Sequence, residues 1–185
     1  MNIYSLTYII WILSEIILNR FVRSGKSDKK SADKNTELYL WGTIMLSITI
    51  GVYVKYNFPL PVFYNVQFAL FGIIIIFFGI IIRFLAIKQL GRFFTVDVTI
   101  REGHQLMQSG FYKYLRHPSY SGSLLSFLGF GLSLNNWFTL AIIFLPVLIA
   151  FIYRIKIEES VLTEQFGNQY QDYKSKTKCI IPFIY

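Results

Sequence analysis

Apolar residues along this chain fall in long runs rather than in strand-like alternation. The runs 3–19, 38–54 and 66–87 approach the roughly 20 residues that a helix needs to cross a hydrocarbon core. Two further runs, 120–134 and 137–153, lie at the short end for a span and are separated only by Asn135 and Asn136. An asparagine pair between apolar runs predicts a tight helical hairpin turning at a membrane surface. Five spanning helices are expected, or four if that hairpin lies in the interface. The predicted fold class is therefore all-α, a multi-span integral membrane protein forming a single domain over residues 1–185.

The first run lacks a basic leader and a small-residue cleavage site, and Arg20 and Arg23 follow it at once. It is expected to be retained as a span. Glu15 within it would cost about 2.5 kcal/mol or more at the bilayer centre, but Arg20 lies near, and snorkelling to the interface is the expected solution. Tyr53, Tyr56, Phe58, Pro59, Pro61, Phe63 and Tyr64 form an interfacial aromatic turn after the second run. The stretch 24–35, rich in Ser, Lys and Asp, has the composition of a solvated linker.

Composition agrees with a bilayer as solvent. Of 185 residues, 54% are hydrophobic and only 15% charged, above the apolar share of about 45–50% usual for globular chains. This excludes a disordered chain. The single cysteine, Cys179, excludes an intrachain disulfide and a four-thiolate zinc site. A net charge of +8 would ordinarily raise nucleic acid as a partner, but the distribution of the charges argues for membrane topology instead. With five spans, 17 of the 18 basic residues fall on one side and only Lys55 on the other. That places the N-terminus outside and the C-terminus in the cytoplasm, together with the polar segments 88–119 and 154–185.

Both histidines lie in the first of those segments, and function is expected there. Pro118 suits the first turn of a helix and holds His117 extended, so Arg116 and His117 flank a helix N-terminus as a cradle for an anion or polar ligand. The plainer alternative is that both merely mark the start of a span. Arg154 and Glu158 are one helical turn apart and are expected to pair, whether in a site or as an ordinary surface ion pair. His104 and His117 do not have zinc-like spacing, and no metal site is expected. Cys179 is not in a prenylation box, since six residues follow it.

In order, the chain carries Arg116-His117-Pro118-Ser119-Tyr120-x-Gly122, then Arg154-x-x-x-Glu158-Glu159, then Phe166-Gly167-x-x-Tyr170-x-x-Tyr173 and Ile181-Pro182-Phe183. This combination resembles the isoprenylcysteine carboxyl methyltransferase family of integral membrane enzymes, over about residues 88–185. The resemblance implies that His104, Gln105, Leu106, Met107, Tyr112, His117, Pro118, Ser119 and Tyr120 surround S-adenosylmethionine. It implies further that Glu158 helps to hold that cofactor and that Arg154 meets the acceptor, the two acting as the catalytic pair. The acceptor would enter from the bilayer, and the cofactor from the cytosol.

A carboxylate acceptor is ionised at pH 7 and needs no base, and the planar fork of Arg154 suits it. Other readings keep the cofactor and change the acceptor to a phospholipid amine or a small thiol. An amine must lose a proton, which would require a basic role for Glu158, Glu159 or His104. A sterol-type membrane reductase with a nicotinamide cofactor and a small membrane interaction subunit are the remaining alternatives. A soluble methyltransferase would show a glycine-rich strand-to-helix turn; Gly129-Phe130-Gly131 lies in an apolar run and is explained by close helix packing.

Overall fold

The computed structural model describes residues 3–21, 36–62, 69–96, 98–100 and 103–181. They form α1 (Ile3–Phe21), α2 (Thr36–Asn57), α3 (Leu70–Leu90), α4 (Pro118–Ser133), α5 (Trp137–Phe166) and α6 (Asn168–Lys176). Short 3-10 turns occupy Gly91–Phe93 and Gly110–Lys113. Extended pairing among the described residues is confined to an isolated parallel bridge between Leu115 and Lys178. The linker 24–35, the Phe63–Tyr64 part of the aromatic turn, and Pro182 and Phe183 lie outside the described residues, as does the side chain of Arg20.

Three helices, Thr36–Asn57, Leu70–Phe93 and Trp137–Phe166, are long and apolar enough to cross a membrane, and Ile3–Leu18 is a shorter apolar helix. The fourth expected span, α4, has only 16 residues. It is rich in serine and glycine because most of its surface faces protein rather than lipid: Gly122, Ser123, Ser126, Gly129, Gly131 and Ser133 are all buried. Small residues let α3 and α4 approach until a Cβ on Gly129 would sit 2.6 Å from the Gly72 carbonyl oxygen. A Cβ on Gly122 would likewise sit 2.7 Å from the Gly79 carbonyl oxygen. These four glycines are therefore requirements of backbone contact.

The bundle closes around Trp11, Ile44, Ile76, Phe127, Phe130 and Val147. Trp11 meets Phe127 edge-on at 4.9 Å between ring centroids. Thr139 Oγ1 donates to the Gly51 carbonyl at 2.9 Å and joins α5 to α2.

The expected asparagine turn is present between α4 and α5. Asn135 takes a left-handed φ of 52°, and the Asn136 side chain caps α5 by accepting from Thr139 N at 2.9 Å. Asn136 Nδ2 also donates to the Phe58 carbonyl at 2.7 Å, so this turn meets the end of α2. The described parts of the polar segments 88–119 and 154–185 gather at the other end. There α5 does not stop near Tyr153, where its apolar run ends, but continues unbroken to Phe166, so Arg154, Glu158 and Glu159 project from one rigid rod. A small apolar cluster of Val98, Ile100 and Val161 docks the segment after α3 onto that extension. The tail after α6 is tied to the loop before α4, with Arg116 N donating to the Lys178 carbonyl at 2.8 Å and His117 N to the Cys179 carbonyl at 3.0 Å.

Candidate functional site

Pro118 opens α4 as expected and is buried at its first turn, with His117 immediately before it. This start aims His117 and Tyr120 at the α5 extension, where their rings stack at 5.6 Å with an 11° interplanar angle. Arg154 and Glu158, expected to pair directly, are instead joined through the Tyr120 hydroxyl. That oxygen accepts from Arg154 Nε at 3.2 Å and donates to Glu158 Oε2 at 2.7 Å. One hydroxyl thus satisfies a cation and an anion at once, using its proton on one and a lone pair on the other. Arg154, only 2% exposed, also donates from Nη1 to Thr36 Oγ1 at 3.0 Å and from Nη2 to the Val96 carbonyl, linking α2, α4, α5 and the loop after α3. Tyr120→Phe should therefore lower kcat/KM by about 10- to 100-fold, the range of one or two lost charge-assisted hydrogen bonds. Steady-state kinetics on the variant, with thermal unfolding as the control, would refute this role if activity were unchanged.

A second network lies behind the first. Glu159 accepts from Arg116 Nε at 2.6 Å and Lys174 Nζ at 2.7 Å, and faces His117 Nε2 at 3.4 Å. Burial alone would raise the Glu159 carboxyl, but hydrogen bonds from His117, Lys174 and Arg116 outweigh it and hold the group well below the usual carboxylate range. Arg116 donates further to the Thr177 carbonyl at 2.6 Å. The Arg116 donors thus staple α4, α5 and the tail, and its side chain also borders the cleft described below. His117, Glu159 and Cys179 bring one candidate ligand atom each within 4.8 Å of one another, a proximity that sequence spacing does not show. The Cys179 thiol is pushed up to about 11 by burial, and Glu159 is already neutralised by two cations, which makes the cluster an ion-pair network.

Between this end of α5, the loop after α3 and α6 lies a narrow cleft of about 80 Å³. His104, Leu106, Met107, Tyr112, His117, Ser119, Tyr120 and Glu158 all line it. Gln105 is exposed and Pro118 is buried, and neither borders the cleft. In a loop segment nothing periodic determines which way a side chain turns, and Pro118 is spent on starting α4. Sequence reading missed four contributors. Phe93 stacks on His104 at 5.0 Å, Phe166 meets the same ring edge-on at 5.6 Å, and Tyr170 and Tyr173 form the floor. Phe166 and the tyrosine pair were visible in one motif, but without a role.

The donor set suits a nucleoside-linked amino acid bearing a cationic sulfur. Thr99 Oγ1 and the Tyr170 hydroxyl, both buried in the cleft wall, have no hydrogen-bond partner among the described residues. Burial pushes the phenols of Tyr112, Tyr170 and Tyr173 above their ordinary range, so they remain neutral donors. The flat rings of Phe93 and His104 can take a base, and the Glu158 carboxylate can face a positive charge.

A second cavity of about 490 Å³ runs between the bundle helices and is almost wholly apolar. Trp11, Ile16, Trp41, Ile44 and Phe127 line it, with Glu15, Glu37, Arg83 and Arg154 as its charged members. Phe94, Thr95 and Tyr120 border both cavities, which therefore abut at Tyr120.

Residues 72–164 match the model of the isoprenylcysteine carboxyl methyltransferase family. The chain is 38% identical over 116 residues to protein-S-isoprenylcysteine O-methyltransferase B of Arabidopsis thaliana, covering 62% of this chain and 59% of that one. It is 34% identical over 115 residues to protein-S-isoprenylcysteine O-methyltransferase of Saccharomyces cerevisiae, covering 61% and 48%. The structure of a eukaryotic intramembrane Ras methyltransferase, an isoprenylcysteine carboxyl methyltransferase, superposes with a TM-score of 0.70 at 25% identity, covering 98% of this chain and 65% of that one. The matched regions thus span less than two thirds of the length of each of these proteins.

Proposed function

This chain belongs to the isoprenylcysteine carboxyl methyltransferase family and is an integral membrane protein; on that premise we propose that it is a multi-span enzyme, one catalytic domain over residues 1–185, that methylates the carboxylate of a prenylcysteine-like or other lipophilic acceptor. S-adenosylmethionine, held in the cleft, supplies an electrophilic methyl group on a cationic sulfur. The observation that carries this reading is the placement of charge on either side of Tyr120. Glu158 lies in the polar cleft, where a cation is to be bound, and Arg154 lies in the apolar cavity, where a lipophilic anion is to be bound. Tyr120 holds the two at a constant separation, so donor and acceptor are aligned by residues already hydrogen-bonded to each other.

His117 is sandwiched between Glu158 at 3.8 Å and Glu159 at 3.4 Å and stacks under Tyr120, which makes it a positioning residue for both glutamates. No residue has to remove a proton from a carboxylate acceptor. An amine acceptor would need a base, and Glu159, held ionised by Arg116, Lys174 and its hydrogen bond with His117, is a poor one. In this reading the cleft end of the molecule is cytoplasmic, following the bias of basic residues, and the apolar cavity receives its ligand from the bilayer.

The test is incubation of the protein in lipid with methyl-labelled S-adenosylmethionine and N-acetyl-S-farnesylcysteine, followed by mild base. Release of labelled methanol is the expected result, because only a carboxyl ester is cleaved in this way. Transfer that yields no base-released methanol, with the label retained in an alkali-stable lipid amine, would overturn the carboxylate assignment.

A further inference from the structure

Glu15 is the one acidic group of α1, and it does not reach for the interface as its sequence position suggested. Its Oε2 lies 3.0 Å from Nη2 of Arg83 on α3, with the two side chains only 16% and 13% exposed. Both line the apolar cavity, on the same wall system as Arg154 and Tyr120. Arg83 is anchored from the other side, Nη1 donating to Ser123 Oγ at 2.5 Å and to the Ser119 carbonyl at 3.3 Å, so its guanidinium is held at the start of α4, within the turn that carries Tyr120. Its Nε is buried and has no hydrogen-bond partner among the described residues.

The result is a guanidinium in an apolar, lipid-compatible cavity that already holds a carboxylate and still has a donor to spend. Neutralising a buried arginine is reason enough for some acid to be near it. Glu15, however, comes from α1, a helix joined to α3 at few points, and it faces the space in which a lipophilic carboxylate has to be accommodated. Resting on the proposed function, we propose that Glu15 is an internal stand-in for the acceptor carboxylate. It neutralises Arg83 in the absence of acceptor, is displaced when an acidic acceptor presents its own carboxylate, and returns when methylation turns that acceptor into a neutral ester. Glu15 thus sets specificity for anionic acceptors and favours release of the uncharged product, since an ester offers Arg83 no charge to compete with it.

The proposal separates cleanly from a purely structural ion pair. In the full chain reconstituted in phosphatidylcholine nanodiscs, binding of N-acetyl-S-farnesylcysteine and of its methyl ester can be followed through Trp11 and Trp41, which line the cavity. Glu15→Gln is expected to bind the acid about tenfold more tightly, the order of one charge-assisted hydrogen bond no longer competed for, and to leave the ester unchanged. Glu15→Asp, which keeps the charge but withdraws it, should give a smaller gain in the same direction. No gain for the acid, or an equal gain for acid and ester, overturns the proposal. Titration of S-adenosylmethionine establishes that each variant is folded, and if the glutamine variant is not, unchanged acid affinity in Glu15→Asp is the overturning result. Charge-selective tightening without methyl ester formation by the unaltered protein would leave Glu15 in this role and remove the carboxylate reaction. Ester formation without the tightening would do the reverse.

Discussion

Replacing Arg154 with alanine is expected to reduce kcat/KM by at least about 10³-fold while leaving S-adenosylmethionine affinity nearly intact. The magnitude follows from deleting a buried, multiply hydrogen-bonded cation, which costs several kcal/mol when the groups it served are left behind. Those groups are the Tyr120 hydroxyl, Thr36 Oγ1 and the Val96 carbonyl, and all but Thr36 belong to the wall between the two cavities. Cofactor affinity should survive because Glu158 keeps its hydrogen bond from Tyr120 and because the ring floor of the cleft does not touch Arg154. Kinetics for both substrates, set beside calorimetric titration of the cofactor, is the measurement. Loss of cofactor binding would move Arg154 from the acceptor side to the donor side. Arg154→Lys is not expected to rescue, since one ammonium cannot reach three acceptors on different elements.

How legible this site was depends on how its parts are connected. The run from Arg116 to Tyr120 and the run from Arg154 to Glu159 are contiguous or one helical turn long, so covalent order alone delivers them together. What joins them is not contained in either. The Tyr120 bridge depends on the rotation of α4 against α5, and that rotation is set by glycine contacts with α3 that hydropathy does not register. The expected Arg154–Glu158 pairing therefore had the right residues and the wrong connection. Glu15 shows the same limit more sharply: reading along the chain, Arg20 is its nearest cation, whereas in the fold Arg83, 68 positions away, is its partner. Hydropathy treats each charge near a span end as free to reach water, and a pair made between spans is invisible to it.

The helices themselves were more readable, with two instructive departures. The apolar run ending near Tyr153 did not mark where the helix stops, because α5 continues as a polar rod that carries the site. Conversely, α4 is helical throughout yet too short and too rich in small residues to register as an ordinary span, since it is enclosed by its neighbours. Burial by protein relaxes the need for hydrophobicity that burial by lipid imposes.

The second large effect concerns stability. Removing Glu159 leaves Arg116, whose side chain is 9% exposed, without its carboxylate, and breaking a buried pair from one side costs about 3–5 kcal/mol. Glu159→Ala should accordingly unfold at much lower temperature in detergent, with the α6 and tail region released first, because Arg116 and Lys174 would lose the group that draws α6 onto α5. The same network makes a prediction about pH. The Glu159 carboxyl is depressed in the folded protein, so the unfolded chain binds more protons wherever pH lies between the folded value and the ordinary value of about 4.3. Its contribution is therefore complete above about pH 5 and is lost progressively as the pH falls below 4.3 toward the lowered value. Glu159→Gln removes the titrating group while keeping a hydrogen-bond acceptor, so it should be less stable than the unaltered protein at pH 7 and should lose less stability on acidification. Thermal unfolding of both proteins from pH 7 to pH 3 decides the matter. Parallel curves would mean that acid sensitivity resides elsewhere, and that Arg116, Lys174 and the His117 hydrogen bond do not hold the proton off Glu159.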